Sequence, residues 1–202
     1  MPIPWYVTLV RLTVPLLIFK WPLWGVLASA LVDLKDWNFI NFANPSDYIF
    51  YQNWDKALDI YYLTIAVITT YKWKDKIAQK LAVGLFFYRL TGDVLFWTTQ
   101  NRTFLFLFPN FFESFFVFYL LYGFIFKKVK LFTSPKIFAV IFIFLGIPKI
   151  IHEYFLHVIQ KQPWQFYSLG NADLNFYAQA LAIYILPFIL SLYFTRKVQK
   201  KS

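Results

Sequence analysis

The sequence predicts an all-α fold: a polytopic membrane helix bundle of six transmembrane helices, N-in and C-in, forming a single integral membrane domain over residues 1–202. Three observations predict it. Apolar residues make up 59% of the chain, aromatics 24% and charged residues 15%, whereas soluble domains carry about 25% charged residues. Five segments, at about 55–72, 77–99, 103–126, 135–158 and 173–195, approach or exceed the ~20 mostly apolar residues that a spanning helix needs. The basic residues, finally, are gathered into short connections between those segments.

The first span covers about 5–32, apolar except for Arg11 and Lys20 and interrupted by Pro15 and Pro22. We read a helix that starts near the cytoplasmic surface, runs to about Phe19, kinks and continues to Leu31. Proline removes a backbone donor and clashes with the preceding turn, which gives the break. The alternative is an interfacial helix over 4–19, with only 21–34 crossing. The N-terminus lacks a basic start and a small-residue cleavage site, so this segment is expected to be retained.

Charge sets the orientation of the remaining elements. Lys72, Lys74, Lys76 and Lys80, then Lys127, Lys128, Lys130 and Lys136, then Arg196, Lys197, Lys200 and Lys201 hold twelve of the twenty Lys and Arg. Asp75 is the one acid among them, and the rest of the chain is close to neutral, although the net charge is +10. Basic clusters in short loops mark the cytoplasmic side. The opposite connections, 33–56, 99–103 and 158–173, set Lys35, Lys56, Arg102 and Lys161 against Asp33, Asp36, Asp47, Asp55 and Asp173. Both termini are therefore expected in the cytoplasm of a multi-pass protein of the cell (plasma or inner) membrane. This distribution argues against nucleic acid as a partner. Two outer stretches, WNFINFANPSDYIFYQNW (37–54) and QKQPWQFYSLGNAD (160–173), suit re-entrant or interfacial caps, or a lid over an outward-facing site. Without cysteine there are no disulfides, thiolate metal sites or cysteine nucleophiles.

The candidate site lies among the charges at membrane depth. Lys149, His152, Glu153 and His157 fall in the outer half of the fifth span. Arg89 lies near the middle of the third, with Asp93 one turn further out. Asn110 and Glu113 lie at mid-depth in the fourth, and Asp59 occupies the outer turn of the second. Arg89 and Asp93, Lys149 and Glu153, and Glu153 and His157 are each i,i+4, which puts each pair on one helical face. An Asp, Lys or Arg facing lipid at a helix centre costs about 2.5–3.5 kcal/mol, so these groups are expected to face inward and pair. The expectation is a polar cavity open to the outside. Pro109 and Pro148 stand beside it, where broken helix geometry suits a cavity lining.

Several chemistries fit. Arg89 and Lys149 suit anionic ligand groups, while Glu113 and Glu153 suit cationic groups or proton relay; Glu113, Glu153 and His152 are the candidate acid–base groups. The histidines are i,i+5, so the HExxH motif is absent; a metal set of His157, Glu153 and Asp93 is the remaining metal reading, and no cofactor is required. Small-solute transport or solute binding is the first functional expectation. A membrane-embedded enzyme acting on lipid headgroups or lipid-linked substrates at the outer leaflet is the second. An accessory subunit whose charges pair with a partner chain is the third.

At RLTGDVLF (89–96), LFPNFFESFF (107–116) and PKIIHEYFLHVIQKQPW (148–164), the chain resembles a group of uncharacterised bacterial polytopic membrane proteins, over about the third to fifth spans. That resemblance implies a membrane bundle and no activity. In plan alone, six spans with a site capped from outside are similar to the substrate-binding membrane subunits of vitamin uptake systems.

Overall fold

A computed structural model describes residues 3–36, 39–40, 44–127, 130–160 and 185–200, and the regular structure among them is helical throughout. They fall into two compact units, Met1–Trp73 and Lys74–Ser202.

The first unit is a helical hairpin packed on one long helix. Helix α1 (Trp5–Thr13) tightens into a 3-10 segment, Val14–Phe19. Pro15 lies at its start and supplies no backbone donor. The chain then reverses at Lys20 and Trp21, and Pro22 opens α2 (Pro22–Asp36). The reversal corrects the expectation of one kinked span over 5–32; the chain divides between Phe19 and Pro22, as the alternative of a separate helix over 4–19 expected. Three contacts give the antiparallel register: a Cβ on Gly25 would lie 2.4 Å from the nitrogen of Ile18, Arg11 meets Asp33, and the Tyr6 and Phe39 rings lie 6.5 Å apart. In each pair the two numbers add to about 44. Gly25 is required because backbone passes where any side chain would sit. The hairpin also places residues 3–10 at the same end of the unit as 33–36 and 39–40, where the reading from charge had put them on opposite faces.

Helix α3 (Pro45–Thr70) is capped by a reciprocal box in which the Asn44 side chain and Asp47 satisfy each other's backbone donors. It begins ten residues before the expected span because that box starts a helix inside the aromatic stretch read as a cap. Leu12 accepts from the Tyr61 hydroxyl at 3.0 Å, and Arg11 reaches Asp55 and Asp59, so α3 runs parallel to α1.

The second unit begins with α4 (Lys76–Thr99), capped by Asp75, whose Oδ1 accepts from the amides of Ile77 and Ala78, each at 3.1 Å. The other carboxylate oxygen accepts from Leu131 at 2.6 Å and Phe132 at 3.4 Å. The lone acid of the basic clusters thus ties two connections together. Helices α5 (Thr103–Leu107) and α6 (Phe111–Phe126) are separated by a break at Phe108–Asn110. Helix α7 (Lys136–Ile159) carries two π turns, Phe142–Gly146 and Phe155–Ile159, flanking the α-helical Ile147–Tyr154. Pro148 supplies no amide to the preceding turn, and the ladder shifts there so that Ile147 bonds to Phe142. Helix α8 (Leu186–Gln199) packs on α7 through the stacked rings of Phe144 and Phe194, 5.0 Å apart.

Among the described residues, Thr103–Phe126 and Lys136–Ile159 are long and apolar enough to cross a membrane. The outer stretch 160–173 beyond Gln160, and the first part of the expected sixth span, 173–184, lie outside the described residues.

Candidate functional site

The polar groups of the second unit assemble around the break between α5 and α6. Pro109 has no N–H to give the carbonyl of Leu105 four residues back. Arg89 Nη1 takes that place, 3.3 Å from the Leu105 oxygen and 3.0 Å from that of Phe108. Its Nη2 lies 3.0 Å from Asp93 Oδ1, and Asp93 is 0% exposed. The approach depends on Gly92, where a Cβ would stand 2.4 Å from Phe108 Cβ. Asn110 caps α6 by accepting from the Glu113 amide at 3.2 Å, and its Nδ2 donates to Glu113 Oε2 at 2.9 Å.

Glu153 is the hub. Only 3% exposed, it meets Lys149 Nζ at 2.9 Å and His157 Nε2 at 2.9 Å, and the Asn110 amide points at Oε1 from 3.5 Å. Arg102, which the sequence reading left in an outer loop, completes the chain: Nη2 lies 3.2 Å from His157 Nδ1 and 3.0 Å from the Leu156 carbonyl. A guanidinium only donates, so Nδ1 must accept and Nε2 carries the proton towards Glu153. This fixes a neutral His157 tautomer between an acid and a permanent cation. A lysine–glutamate pair and an oriented imidazole can pass a proton or exchange a charged ligand. His152 faces elsewhere: with Ser114, Lys149, Pro148 and Pro187 it lines a small cavity between α6, α7 and α8.

Asp59, the remaining expected site residue, belongs to the first unit and to a second cluster. Arg11, 5% exposed, lies against Asp33 and reaches Asp36 at 2.9 Å, Asp55 at 3.2 Å and Asp59 at 3.1 Å. Lys56 bridges Asp55 at 2.7 Å and Asp59 at 2.5 Å. The Trp54 ring lies 5.6 Å beneath the guanidinium, and Tyr51 donates to Asp36 at 3.1 Å. Four carboxylates thus surround two cations. Burial raises the Asp36 pKa to about 6; Arg11 opposes that shift and Asp55 adds to it. Sequence reasoning missed this cluster although a signal existed: Asp33 and Asp36 are i,i+3, Asp55 and Asp59 are i,i+4, and Arg11 stood alone in an apolar run.

For metal, both ring nitrogens of His157 are engaged and Asp93 holds Arg89. Among the described residues, the acidic or histidine trio whose ligand atoms lie within 4.8 Å of one another is Asp33, Asp55 and Asp59. Comparison with protein families, curated proteins and solved structures finds no match to this chain.

Proposed function

We propose that this chain is a multi-pass protein of the cell membrane that binds and transports a small polar solute, with Glu153 as the group that exchanges a proton or a charged ligand. The observation that carries the reading is the buried Glu153, held by Lys149 and His157 at 2.9 Å each, beside a cavity that Lys149 also lines. Lys149 and Arg89 would hold anionic groups of the solute, and Glu113 and Glu153 cationic groups or protons. Intramembrane ionisable residues mark substrate or proton pathways by default.

In this reading the basic segments 72–80, 127–136 and 196–202 face the cytoplasm, and the Glu153 cluster lies in the extracytoplasmic half. The Lys20 reversal of the first unit also faces the cytoplasm, beside the C-terminal end of α3. The N-terminal segment then lies on the outer side. The arm Trp5–Phe19 has a length of about 25 Å by rise per residue, somewhat short of the ~30 Å hydrocarbon core.

The test is a thermal-shift screen of the purified protein against small carboxylates, phosphate, amino acids and quaternary amines. A compound that stabilises the wild type is expected to lose its effect in Glu153→Gln and Lys149→Gln. Stabilisation unchanged in both folded variants would contradict the reading. A second reading, hydrolysis at a membrane surface, is favoured by one observation: Ser114 and His152 line the same cavity. Labelling by a fluorophosphonate, abolished in Ser114→Ala, would select it; an unlabelled wild type would remove it.

A further inference from the structure

The three basic segments of the second unit lie far apart in sequence, and the fold brings them to one surface. Leu131, 0% exposed, is the pin. Its amide donates to Asp75 Oδ2 at 2.6 Å, and its carbonyl accepts from Gln199 Nε2 at 2.7 Å. Gln199 also reaches the Lys130 carbonyl at 3.3 Å and accepts from the Tyr122 hydroxyl. The start of α4, the connection from α6 to α7 and the end of α8 therefore meet at one residue.

The charge gathered there is one-sided. Lys74 and Lys76 flank Asp75, Lys127 and Lys130 follow α6, and Lys197 and Lys200 close α8; all six are exposed. Asp75 is the one acid in these segments. It is buried, and its two oxygens are taken up by the amides of Ile77, Ala78, Leu131 and Phe132. Among the described residues, none of the six lysines forms an ion pair. Like charges held together by buried tethers gain from an anionic partner.

What surrounds the cations selects that partner. Phe124 and Ile125, in the last turn of α6, are exposed, and so is Tyr193, one turn before Lys197. The Lys197 Nζ lies 5.9 Å from the centre of the Tyr193 ring. Exposed apolar groups beside a cluster of cations match a molecule with an anionic head and apolar tails. A soluble acidic partner matches the charge alone.

We propose that this end of the second unit binds anionic phospholipid, with the lysines at the phosphate groups and the exposed side chains of α6 and α8 against the acyl chains. In the proposed orientation the lipid belongs to the cytoplasmic leaflet. The surface draws on none of the groups around Glu153, so it stands or falls apart from the carrier reading.

The chain contains no cysteine, so Thr133→Cys carries a single fluorophore at an exposed position between Lys130 and α7. Thr98→Cys, exposed near the other end of α4, is the reference. Each labelled full-length chain is placed in phosphatidylcholine vesicles. These contain a small fraction of phosphatidylglycerol or phosphatidylcholine bearing a nitroxide quencher on its acyl chain. One lysine near an anionic surface favours contact about fivefold. At position 133, quenching is therefore expected to report phosphatidylglycerol enriched at least about fivefold over phosphatidylcholine; at position 98 the two lipids are expected to quench alike. Lys127→Gln/Lys130→Gln/Lys197→Gln changes exposed side chains only and should bring the ratio at 133 towards one. Salt at about 1 M, which shortens the screening length to about 3 Å, should do the same to the wild-type lysines. Equal quenching by both lipids at 133 in low salt overturns the proposal and leaves the patch to an acidic protein or to solvent. A preference at 98 as large as at 133, or one that neither salt nor the triple variant moves, overturns it as well.

Discussion

Arg89 donates through Nη1 to the carbonyl oxygen of Leu105, the acceptor that Pro109 leaves without its helical partner. This relationship links a sequence feature, a proline inside an apolar segment, to the placement of a buried charge. The guanidinium satisfies the break, and the break orients the guanidinium against Asp93. Replacing Arg89 by Leu leaves Asp93 buried without its cation, a change that typically costs 3–5 kcal/mol. Denaturant unfolding in detergent is expected to show a loss of about that size, much of it recovered in Arg89→Leu/Asp93→Leu. A double variant no more stable than the single one would show that the pair is not the source.

The two glycines of α4 make opposite predictions. A Cβ on Gly84 meets nothing within 4 Å, whereas one on Gly92 would stand 2.4 Å from Phe108 Cβ. Gly84→Ala is expected to be neutral or stabilising by about 0.5–1 kcal/mol through helix propensity. Gly92→Ala must separate α4 from the break and is expected to destabilise by about 1–3 kcal/mol. The pair of unfolding midpoints checks the close approach that places Arg89.

With only two histidines in the chain, nitrogen NMR can read the His157 tautomer directly. The expected signal is a neutral ring protonated at Nε2, because Arg102 occupies Nδ1. Arg102→Gln should release that constraint and move His157 towards a mixture of tautomers. An Nδ1-protonated ring in the wild type would contradict the Glu153–His157–Arg102 chain.

The Arg11 cluster predicts a pH effect of unusual sign. The Asp36 carboxyl has a pKa of about 6 in the fold against about 3.9 unfolded, so between these values the folded chain holds more protons. Its contribution therefore lowers stability as pH rises from about 4 to 6 and favours the folded form as pH falls. Asp36→Asn should remove this component from the pH dependence of the unfolding midpoint. An unchanged profile would place the titration elsewhere.

The helices at 76–99 and 136–159 were legible to within a residue or two, because their apolar runs are bounded by Asp75 and by Pro135 and Gln160. The pairs Arg89–Asp93, Lys149–Glu153 and Glu153–His157 were legible as well, since i,i+4 spacing fixes a shared face whatever the tertiary structure. The hairpin was not: Pro15 and Pro22 read equally as kinks, and only the tight packing of Gly25 on Ile18 turns the chain back. Neither was Arg102, whose partners lie more than fifty positions away. The start of α3 was hidden by aromatic and amide side chains that resemble an interfacial loop; the Asn44–Asp47 box was the available signal.

The most direct test of the central claim is native mass spectrometry of the intact protein released from mild detergent, wild type beside Glu153→Gln. The account predicts a small polar molecule bound to the wild-type chain and absent from the variant. A chain that flies empty in both forms, or carries the same molecule in both, would contradict it.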